Sequence, residues 1–258
     1  MREKVIKGTL QSVIADFGDY TVDGTAEVPL EKHKGPCVRC LKVFGCWSLN
    51  LHESVMSGYF HLLVKCVTKL MLINPLHINQ YGSDGRTALS LAVAIKREDM
   101  VRLLLASKAL PDFPDQSTGR TPLIHSVING THAISRALMS HGASNSMADF
   151  NCITPLMLSC VSDDVIHCRI LCSKLLDMDV QDENGWTALH YCALSNSAKC
   201  AAFLINEGVN RNIKDGNNRK PVHLARFKES RDVESVLEDM KSRLADMGED
   251  ESVADDEG

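Results

Sequence analysis

The sequence has few aromatic residues and no strong excess of charge over most of its length. Only 5% of its 258 residues are Phe, Trp or Tyr, whereas 44% are hydrophobic and 24% are charged. This composition supplies enough apolar material for a continuous core and excludes a disordered or collagen-like chain. We therefore expect an ordinary soluble, folded protein.

No segment has the pattern of a signal peptide or a membrane span. The N-terminus, MREKVIKGTLQSVIADF, lacks the apolar centre of roughly 7–15 residues that a signal peptide needs. The most apolar stretch, Tyr59–Leu76, is interrupted by His61, Lys65 and Lys69, and it falls short of the roughly 20 residues that span a bilayer. We predict an intracellular protein, cytoplasmic or nuclear, with its ten cysteines as reduced thiols.

The net charge of −5 belongs to one segment of the chain. Residues 241–258 hold seven acidic and two basic side chains, which alone gives −5, so the preceding 240 residues are balanced. Binding to nucleic acid or to a membrane surface requires a net basic face, and the sequence has no cluster of Lys and Arg. We predict neither partner. Residues 241–258 are interpreted as an acidic disordered tail, and a solubilising role is favoured over a site for a basic partner.

A repeat of about 33 residues organises the rest of the chain. Five segments can be aligned: GRTALSLAV, GRTPLIHSV, NCITPLMLSC, GWTALHYCA and NRKPVHLAR. Their anchor residues are spaced 34, 33, 33 and 33 residues apart: Thr87, Thr121, Thr154, Thr187 and Lys220. A second apolar helical pattern follows four of these segments. The extra residue of the 34 is placed in the loop SKALPDFPDQSTGR, which tolerates insertion.

This pattern resembles the ankyrin repeat, whose period is 33 residues and whose signature is Thr-Pro-Leu-His-x-Ala. The resemblance implies an all-α ankyrin-repeat solenoid of about five helix-turn-helix repeats with short β-hairpin-like finger loops. Each anchor Thr is expected to cap the first helix of its repeat. Leucine or valine is expected on the buried face of that helix: Leu89, Leu123, Leu156, Leu189 and Val222. Small residues are expected where neighbouring helices approach: Ala92, Ser126, Ser159, Cys192 and Ala225.

The match to the signature is incomplete. The signature His is present only as His190 and His223, and Leu175 replaces the usual Gly after the second helix of the third repeat. We expect ankyrin repeats over 82–240 and a degenerate N-terminal capping repeat over 58–81, because the end repeats of a solenoid are atypical. Ser54 stands where a further anchor would be, so residues 1–57 are left unassigned.

A candidate metal-binding group lies in the unassigned segment. His33, Cys37, Cys40, Cys46 and His52 include a Cys-x-x-Cys pair and could supply the four ligands of zinc. A second Cys-x-x-Cys at regular spacing is missing, so ordinary thiols are the preferred interpretation, and no metal and no cofactor is predicted. The cysteines within the repeats are interpreted as small core residues: Cys160, Cys168, Cys172 and Cys192.

The resemblance implies a non-catalytic module for protein–protein interaction, acting as an adaptor, a scaffold or an inhibitory subunit. No nucleophile is placed by a motif beside an acid or a base, and there is no Gly-rich phosphate loop, so we predict that the protein is not an enzyme. The alternative is a zinc-binding or catalytic N-terminal segment, 1–57, that the repeats target. We predict a monomer that binds a partner protein of unknown identity.

In ankyrin folds the residue before the anchor points toward the concave surface, and here that position holds Arg in three repeats, Ile in one and Trp in one. Arg and Trp are enriched at interface hot spots. With neighbouring positions they define a predicted binding surface: Arg86, Arg120, Phe150, Asn151, Ile153, Glu183, Trp186, Arg219 and Phe227. Replacing Trp186 and Phe150 together by Ala is expected to abolish partner binding with little change in thermal unfolding.

Overall fold

The computed structural model describes residues 51–73, 75–172 and 177–238. Within these residues the chain is α-helical apart from turns, loops and one 3-10 helix. Tyr81 and Thr87 form an isolated antiparallel β-bridge. The predicted all-α fold is confirmed. No helix of these residues is both long and apolar enough to cross a membrane.

The chain divides into two compact units, residues 1–144 and 145–258. This boundary falls inside the 82–240 tract. Unit 1 contains a 3-10 helix at Pro75–Asn79 and three pairs of α-helices: α1 Leu51–Met56, α2 Phe60–Ile73, α3 Ala88–Ala94, α4 Glu98–Ala106, α5 Pro122–Ile128 and α6 His132–Ser140. Unit 2 contains α7 Pro155–Val161, α8 Val165–Cys172, α9 Ala188–Ser195, α10 Ala198–Asn206, α11 Pro221–Phe227 and α12 over 231–238.

The anchor threonines start the first helices of their pairs as predicted. The Oγ1 atoms of Thr87, Thr121 and Thr154 accept hydrogen bonds from the backbone N–H three residues on, at 3.2, 3.3 and 3.4 Å. At Thr187 the contact is different, because the backbone N–H of Thr187 donates to Nδ1 of His190 at 3.1 Å. These bonds satisfy backbone or side-chain groups at helix ends that otherwise have no partner within the helix.

The first helices pack in chain order within each unit: α1 on α3 and α3 on α5 in unit 1, α7 on α9 and α9 on α11 in unit 2. All five predicted small residues are fully buried in these helices: Ala92, Ser126, Ser159, Cys192 and Ala225. The predicted leucines are buried too: Leu89, Leu123, Leu156 and Leu189. The prediction for Val222 was wrong. Val222 is half-buried because it lines a pocket between α11 and α12, and Leu224 is the residue of α11 that packs inward.

The first helix pair begins at Leu51, seven residues before the start of the predicted capping repeat at 58. Helix α2 has 14 residues where α4 has nine, so α1 begins 37 residues before α3 begins, and not 33. Ser54 therefore lies inside α1, where it is buried, and not at an anchor position. The longer second helix explains why a search at a fixed period of 33 residues does not find this pair.

Short polar side chains connect successive loops within each unit. Oδ1 of Asn79 accepts a hydrogen bond from the backbone N–H of Leu110 at 2.8 Å, and Asp112 accepts one from Ser144 at 2.8 Å. In unit 2, Asp179 accepts one in the same way from the N–H of Asn210 at 3.0 Å. Leu175, with the predicted distortion of its turn, lies outside the described residues, as do residues 1–50 and the tail over 241–258.

Candidate functional site

The finger turn before each of four anchors is organised by a buried aspartate. We call Asp115, Asp149, Asp182 and Asp215 the finger aspartates, and each is more than nine-tenths buried. The backbone N–H of each donates to the C=O of the residue before the anchor, at 2.8 to 3.1 Å, and this bond closes the turn. Sequence reasoning missed these residues, although their spacing of 34, 33 and 33 residues matches that of the anchors.

In unit 2 the turn itself binds the carboxylate. Oδ1 of Asp182 and Oδ1 of Asp215 each accept backbone hydrogen bonds from the residues two and four positions on, at 2.8 to 2.9 Å. The other oxygen of Asp182 accepts a bond from the Tyr191 hydroxyl at 2.7 Å, and that of Asp215 accepts one from Arg219 Nε at 2.9 Å. Burial would raise the pKa of the Asp215 carboxyl, but the backbone and guanidinium of Arg219 lower it to about 2.

In unit 1 the carboxylate of Asp115 is bound by other side chains. It accepts hydrogen bonds from the Ser90 hydroxyl at 2.7 Å and from His125 Nε2 at 2.6 Å, and it pairs with Arg86 Nε at 3.3 Å. Burial opposes ionisation, but the hydrogen bonds from His125 and Ser90 lower the pKa of Asp115. Asp115 stands six residues before its anchor and the other finger aspartates stand five before theirs. The extra residue of the repeat thus lies in this finger.

Several residues predicted to face a partner contribute to the fingers themselves. Trp186 is half-buried, its Nε1 donates to Asp215 Oδ2 at 3.2 Å, and its ring meets the ring of Tyr191 edge-on with centroids 5.7 Å apart. Arg86 and Arg219 pair with finger aspartates as described above. These side chains therefore have a structural role that their position in the sequence does not reveal.

The other members of the predicted surface differ in exposure. Phe150 is 63% exposed at a finger tip, and Phe227 is 73% exposed at the end of α11. Asn151 and Glu183 are exposed in the fingers of unit 2, whereas Arg120 and Ile153 are half-buried. Phe150 and Phe227 are the most exposed large apolar side chains of the described residues.

A row of apolar residues at the ends of the first helices was not predicted. The residue seven positions after each anchor is apolar in every repeat: Ala94 and Ile128 in unit 1, Val161, Leu194 and Phe227 in unit 2. Ile128, Val161 and Phe227 are exposed, and Leu194 is partly exposed. We call Val161, Leu194 and Phe227 the helix-end row of unit 2, because α7, α9 and α11 pack side by side. Its periodicity is the signal that sequence analysis could have used.

Four of the five zinc candidates lie outside the described residues: His33, Cys37, Cys40 and Cys46. His52 lies on α1, and its Nε2 donates a hydrogen bond to the backbone oxygen of Arg86 at 2.9 Å. This bond holds α1 to the first finger of unit 1. The structure therefore gives His52 a role in packing.

The cysteines of unit 2 lie in its core. Cys160, Cys168, Cys192 and Cys200 are fully buried, Cys172 is partly buried, and the sulfur atoms of Cys168 and Cys200 are 3.4 Å apart. Hydrogen bonding to Cys168 and burial raise the pKa of Cys160 well above its usual range. Buried cysteines behave as small apolar residues in a core, as the sequence predicts for Cys160, Cys168, Cys172 and Cys192.

Comparisons with known proteins agree with this architecture. A family model for ankyrin repeats in three copies matches residues 51–149, 141–215 and 169–242. The human SH3 and multiple ankyrin repeat domains protein 2 is 34% identical over 150 residues, which are 58% of this chain and 8% of that protein. The neurogenic locus notch homolog protein 1 of Xenopus tropicalis is 31% identical over 148 residues, 57% of this chain and 6% of that protein. This chain thus spans a small part of these relatives.

A solved structure shows the same fold. The crystal structure of an ankyrin repeat domain from Acinetobacter baumannii AYE matches with a TM-score of 0.65 and 23% identity, covering 72% of this chain and 95% of that one. The family model spans well over half of the sequence and begins at the first residue of α1. The chain belongs to the ankyrin-repeat family.

Proposed function

We propose that this protein is a non-catalytic intracellular adaptor, scaffold or inhibitory subunit that binds a partner protein through its fingers and first helices. Ankyrin repeats are generally protein–protein interaction modules. The seven cysteines in the described residues are free thiols, which favours a reducing compartment. The proposal concerns the role of the whole chain and the surface that it uses.

The observation that carries the proposal is the exposed apolar surface of unit 2. The helix-end row of Val161, Leu194 and Phe227 is repeated at every first helix of the unit, and Phe150 is exposed in its first finger. The scaffold does not require these side chains, because the buried faces of α7, α9 and α11 are supplied by other residues. Exposed apolar side chains that recur together mark interaction sites more often than isolated ones do.

Two substitutions at the most exposed positions test the proposal. Phe150→Ser with Phe227→Ser is expected to weaken partner binding at least about tenfold, because the loss of two aromatic contacts in an interface is worth about 1.4 kcal/mol or more. Affinity capture from cell extract with quantitative mass spectrometry identifies the candidate partners. Titration calorimetry with a purified partner then measures the change in affinity.

Ile166→Ser is the matched control. Ile166 is 48% exposed on α8, a second helix of the same unit, so its replacement removes similar apolar area away from the proposed face. The control variant is expected to bind the partner like the wild type, and all variants should unfold at nearly the same temperature. Unchanged affinity in the double variant, or equal losses in both variants, would contradict the proposed face.

A further inference from the structure

Four buried cysteines from four successive helices meet in the core of unit 2. Cys160 lies on α7, Cys168 on α8, Cys192 on α9 and Cys200 on α10, and each side chain is fully buried. The thiol of Cys160 is in hydrogen-bond contact with those of the other three. We call these four residues the thiol cluster. It brings nucleophilic groups from two successive repeats into contact.

Two members of the thiol cluster lie within reach of a covalent bond. The sulfur atoms of Cys168 and Cys200 are 3.4 Å apart. A disulfide bond is about 2.0 Å long, so the two atoms would have to approach by about 1.4 Å. Helices α8 and α10 already pack against each other. Torsion of two side chains and a small shift of the helices are therefore sufficient to form the bond.

The repeat itself does not require thiols at these places. In unit 1 the position equivalent to Cys168 is Ser135, whose hydroxyl oxygen lies 2.7 Å from that of Ser126. In unit 2 the Ser159 hydroxyl keeps the same contact, with Cys168 Sγ at 3.1 Å. Cys200 stands one residue before the corresponding position of the next repeat. The contact between two thiols is therefore particular to unit 2.

The surroundings of Cys168 favour its thiolate, which is the reactive form of a cysteine. Hydrogen bonds from the thiols of Cys160 and Cys200 and from the Ser159 hydroxyl lower the pKa of Cys168, although burial opposes this change. The contact with Cys160 favours ionisation of Cys200 too, but the contact with Cys168 and burial raise the pKa of Cys200 overall. A nucleophile is thus held beside a thiol that keeps its proton.

We propose that Cys168 and Cys200 form a reversible disulfide when the protein meets a hydroperoxide such as hydrogen peroxide, and that this bond locks two successive repeats of unit 2 together. In a reducing compartment the dithiol is the resting state. The disulfide links residues 32 positions apart, so it restricts the unfolded chain and stabilises the folded unit. This proposal does not depend on the partner-binding face.

The reaction takes place in two steps. The Cys168 thiolate attacks one oxygen of hydrogen peroxide, the S–O bond forms and the O–O bond breaks, and the departing hydroxide takes up the proton that Cys168 had released. The Cys200 thiol then attacks the sulfenic sulfur, the S–S bond forms and the S–O bond breaks, and the hydroxide leaves with the Cys200 proton as water. The two thiols lose two electrons, and the peroxide is reduced to two molecules of water.

Access of the oxidant sets the rate of this reaction. Both sulfur atoms are fully buried, so a small neutral peroxide has to enter through local opening of unit 2. We therefore expect the disulfide to form over minutes to hours.

Peroxide treatment of the full chain tests the pairing. Reduced protein is treated with hydrogen peroxide, the remaining thiols are blocked with N-ethylmaleimide during denaturation, and the unreduced digest is analysed by mass spectrometry. Trypsin with an Asp-specific protease releases peptides 164–169 and 200–211, each with one cysteine. Their cross-linked pair is expected as the main disulfide, and dithiothreitol should remove it. In urea the same treatment should give a mixture of pairs, because the thiols are no longer held together.

The disulfide should also change thermal unfolding. Oxidised wild-type protein is expected to unfold about 5–10 °C above the reduced protein, as followed by circular dichroism without reductant. Cys168→Ser and Cys200→Ala should show no such gain. Serine suits the first site because Ser135 occupies the equivalent place in unit 1.

Cys192→Ser is the matched control. It removes another fully buried thiol of the cluster, at a position where two other repeats carry serine. This variant should keep both the cross-linked peptide pair and the gain in unfolding temperature.

Three results would overturn the proposal. The first is that Cys168 and Cys200 stay unpaired, or become sulfinic acids, while the exposed Cys152 is oxidised. The second is the same mixture of disulfides in buffer and in urea, which would mean that the folded contact gives no selectivity. The third is an unchanged or lower unfolding temperature of the oxidised wild type, or an equal gain in Cys168→Ser, because the bond would then not lock the repeats.

Discussion

The fingers of the two units bind their buried aspartates in different ways. In unit 2, Asp182 and Asp215 are each held by two backbone N–H groups of their own turn. In unit 1, Asp115 is held by Ser90, His125 and Arg86, which come from α3, α5 and the preceding finger. The carboxylates of Asp182 and Asp215 are therefore held mainly by their own turns, with Trp186 as an added contact to Asp215, whereas the carboxylate of Asp115 is held by side chains of other elements.

The difference follows from the length of the turn. The finger of Asp115 has one residue more than the others, and its carboxylate bonds with neighbouring elements rather than with the backbone two and four positions on. Hydrogen bonds to a charged group contribute about 1.5–3 kcal/mol each. The finger of unit 1 should thus depend more on the ionised side chain than the fingers of unit 2 do.

The largest expected effect is that of removing the charge of Asp115. Asp115→Asn should lower the free energy of unfolding by about 2–4 kcal/mol, because the amide has one acceptor oxygen where the carboxylate has two, so one of the buried donors of Ser90 and His125 loses its acceptor and the pair with Arg86 loses its charge. Asp182→Asn should lower it by only about 1 kcal/mol, because an amide oxygen still accepts both backbone bonds of the turn. Urea unfolding followed by circular dichroism measures both values, and hydrogen exchange locates the loss in its unit.

Exposed acidic residues are the controls for this pair. Glu98→Gln breaks only the surface pair with Arg102, and Glu183→Gln changes an exposed finger residue of unit 2. Each should change the free energy of unfolding by less than about 0.5 kcal/mol. Equal losses for Asp115→Asn and Asp182→Asn would mean that the two units do not differ in the way described.

An intermediate effect is expected for Trp186, which connects two fingers of unit 2. Trp186→Ala should lower the free energy of unfolding by about 2 kcal/mol, because it removes the hydrogen bond to Asp215 and the ring contact with Tyr191. Phe150→Ala should change it by less than about 0.5 kcal/mol, since that side chain is mostly exposed. Thermal unfolding of the two single variants measures both effects. Equal stability would support the sequence-based view of Trp186 as a free contact residue.

The smallest effect is the contribution of Asp215 in acid. Its folded pKa is about 2 and its ordinary value is 3.8. The unfolded chain therefore binds the proton first as the pH falls, so the stabilisation is complete above about pH 4 and is lost between about pH 4 and 2. After screening by solvent we expect a contribution of about 1 kcal/mol.

Urea unfolding at several pH values between 2 and 7 checks this contribution. Asp215→Asn should flatten the fall in stability in that window, and Glu183→Gln should leave its shape unchanged. A wild-type curve that falls no more steeply than that of Asp215→Asn would show that this carboxylate is not stabilised by folding.

Much of the fold could be predicted because helix pairs of this kind are specified within about 33 residues of sequence. The caps at Thr87, Thr121 and Thr154 and the five small residues of the first helices follow from the repeat alone. The first pair escaped the period because α2 is longer than the other second helices. Val222 fits the sequence pattern but lines a pocket between α11 and α12, since what covers a helix depends on the next element and not on the helix itself.

The candidate site was less accessible to sequence reasoning. Phe150 and Phe227 are exposed at the predicted surface, but the helix-end row and the finger aspartates were missed. Both sets lie outside the family signature, although they keep its period of about 33 residues.

The sequence by itself determined the repeat, its helices and the residues that pack between them, because these depend on local capping and on apolar periodicity. The tertiary structure decided what the polar and aromatic finger residues do. Trp186 reaches Asp215 and Arg86 reaches Asp115 across 29 positions of sequence. Such contacts exist only when one repeat is stacked on the next, so the same residues look free in the sequence and are engaged in the folded protein.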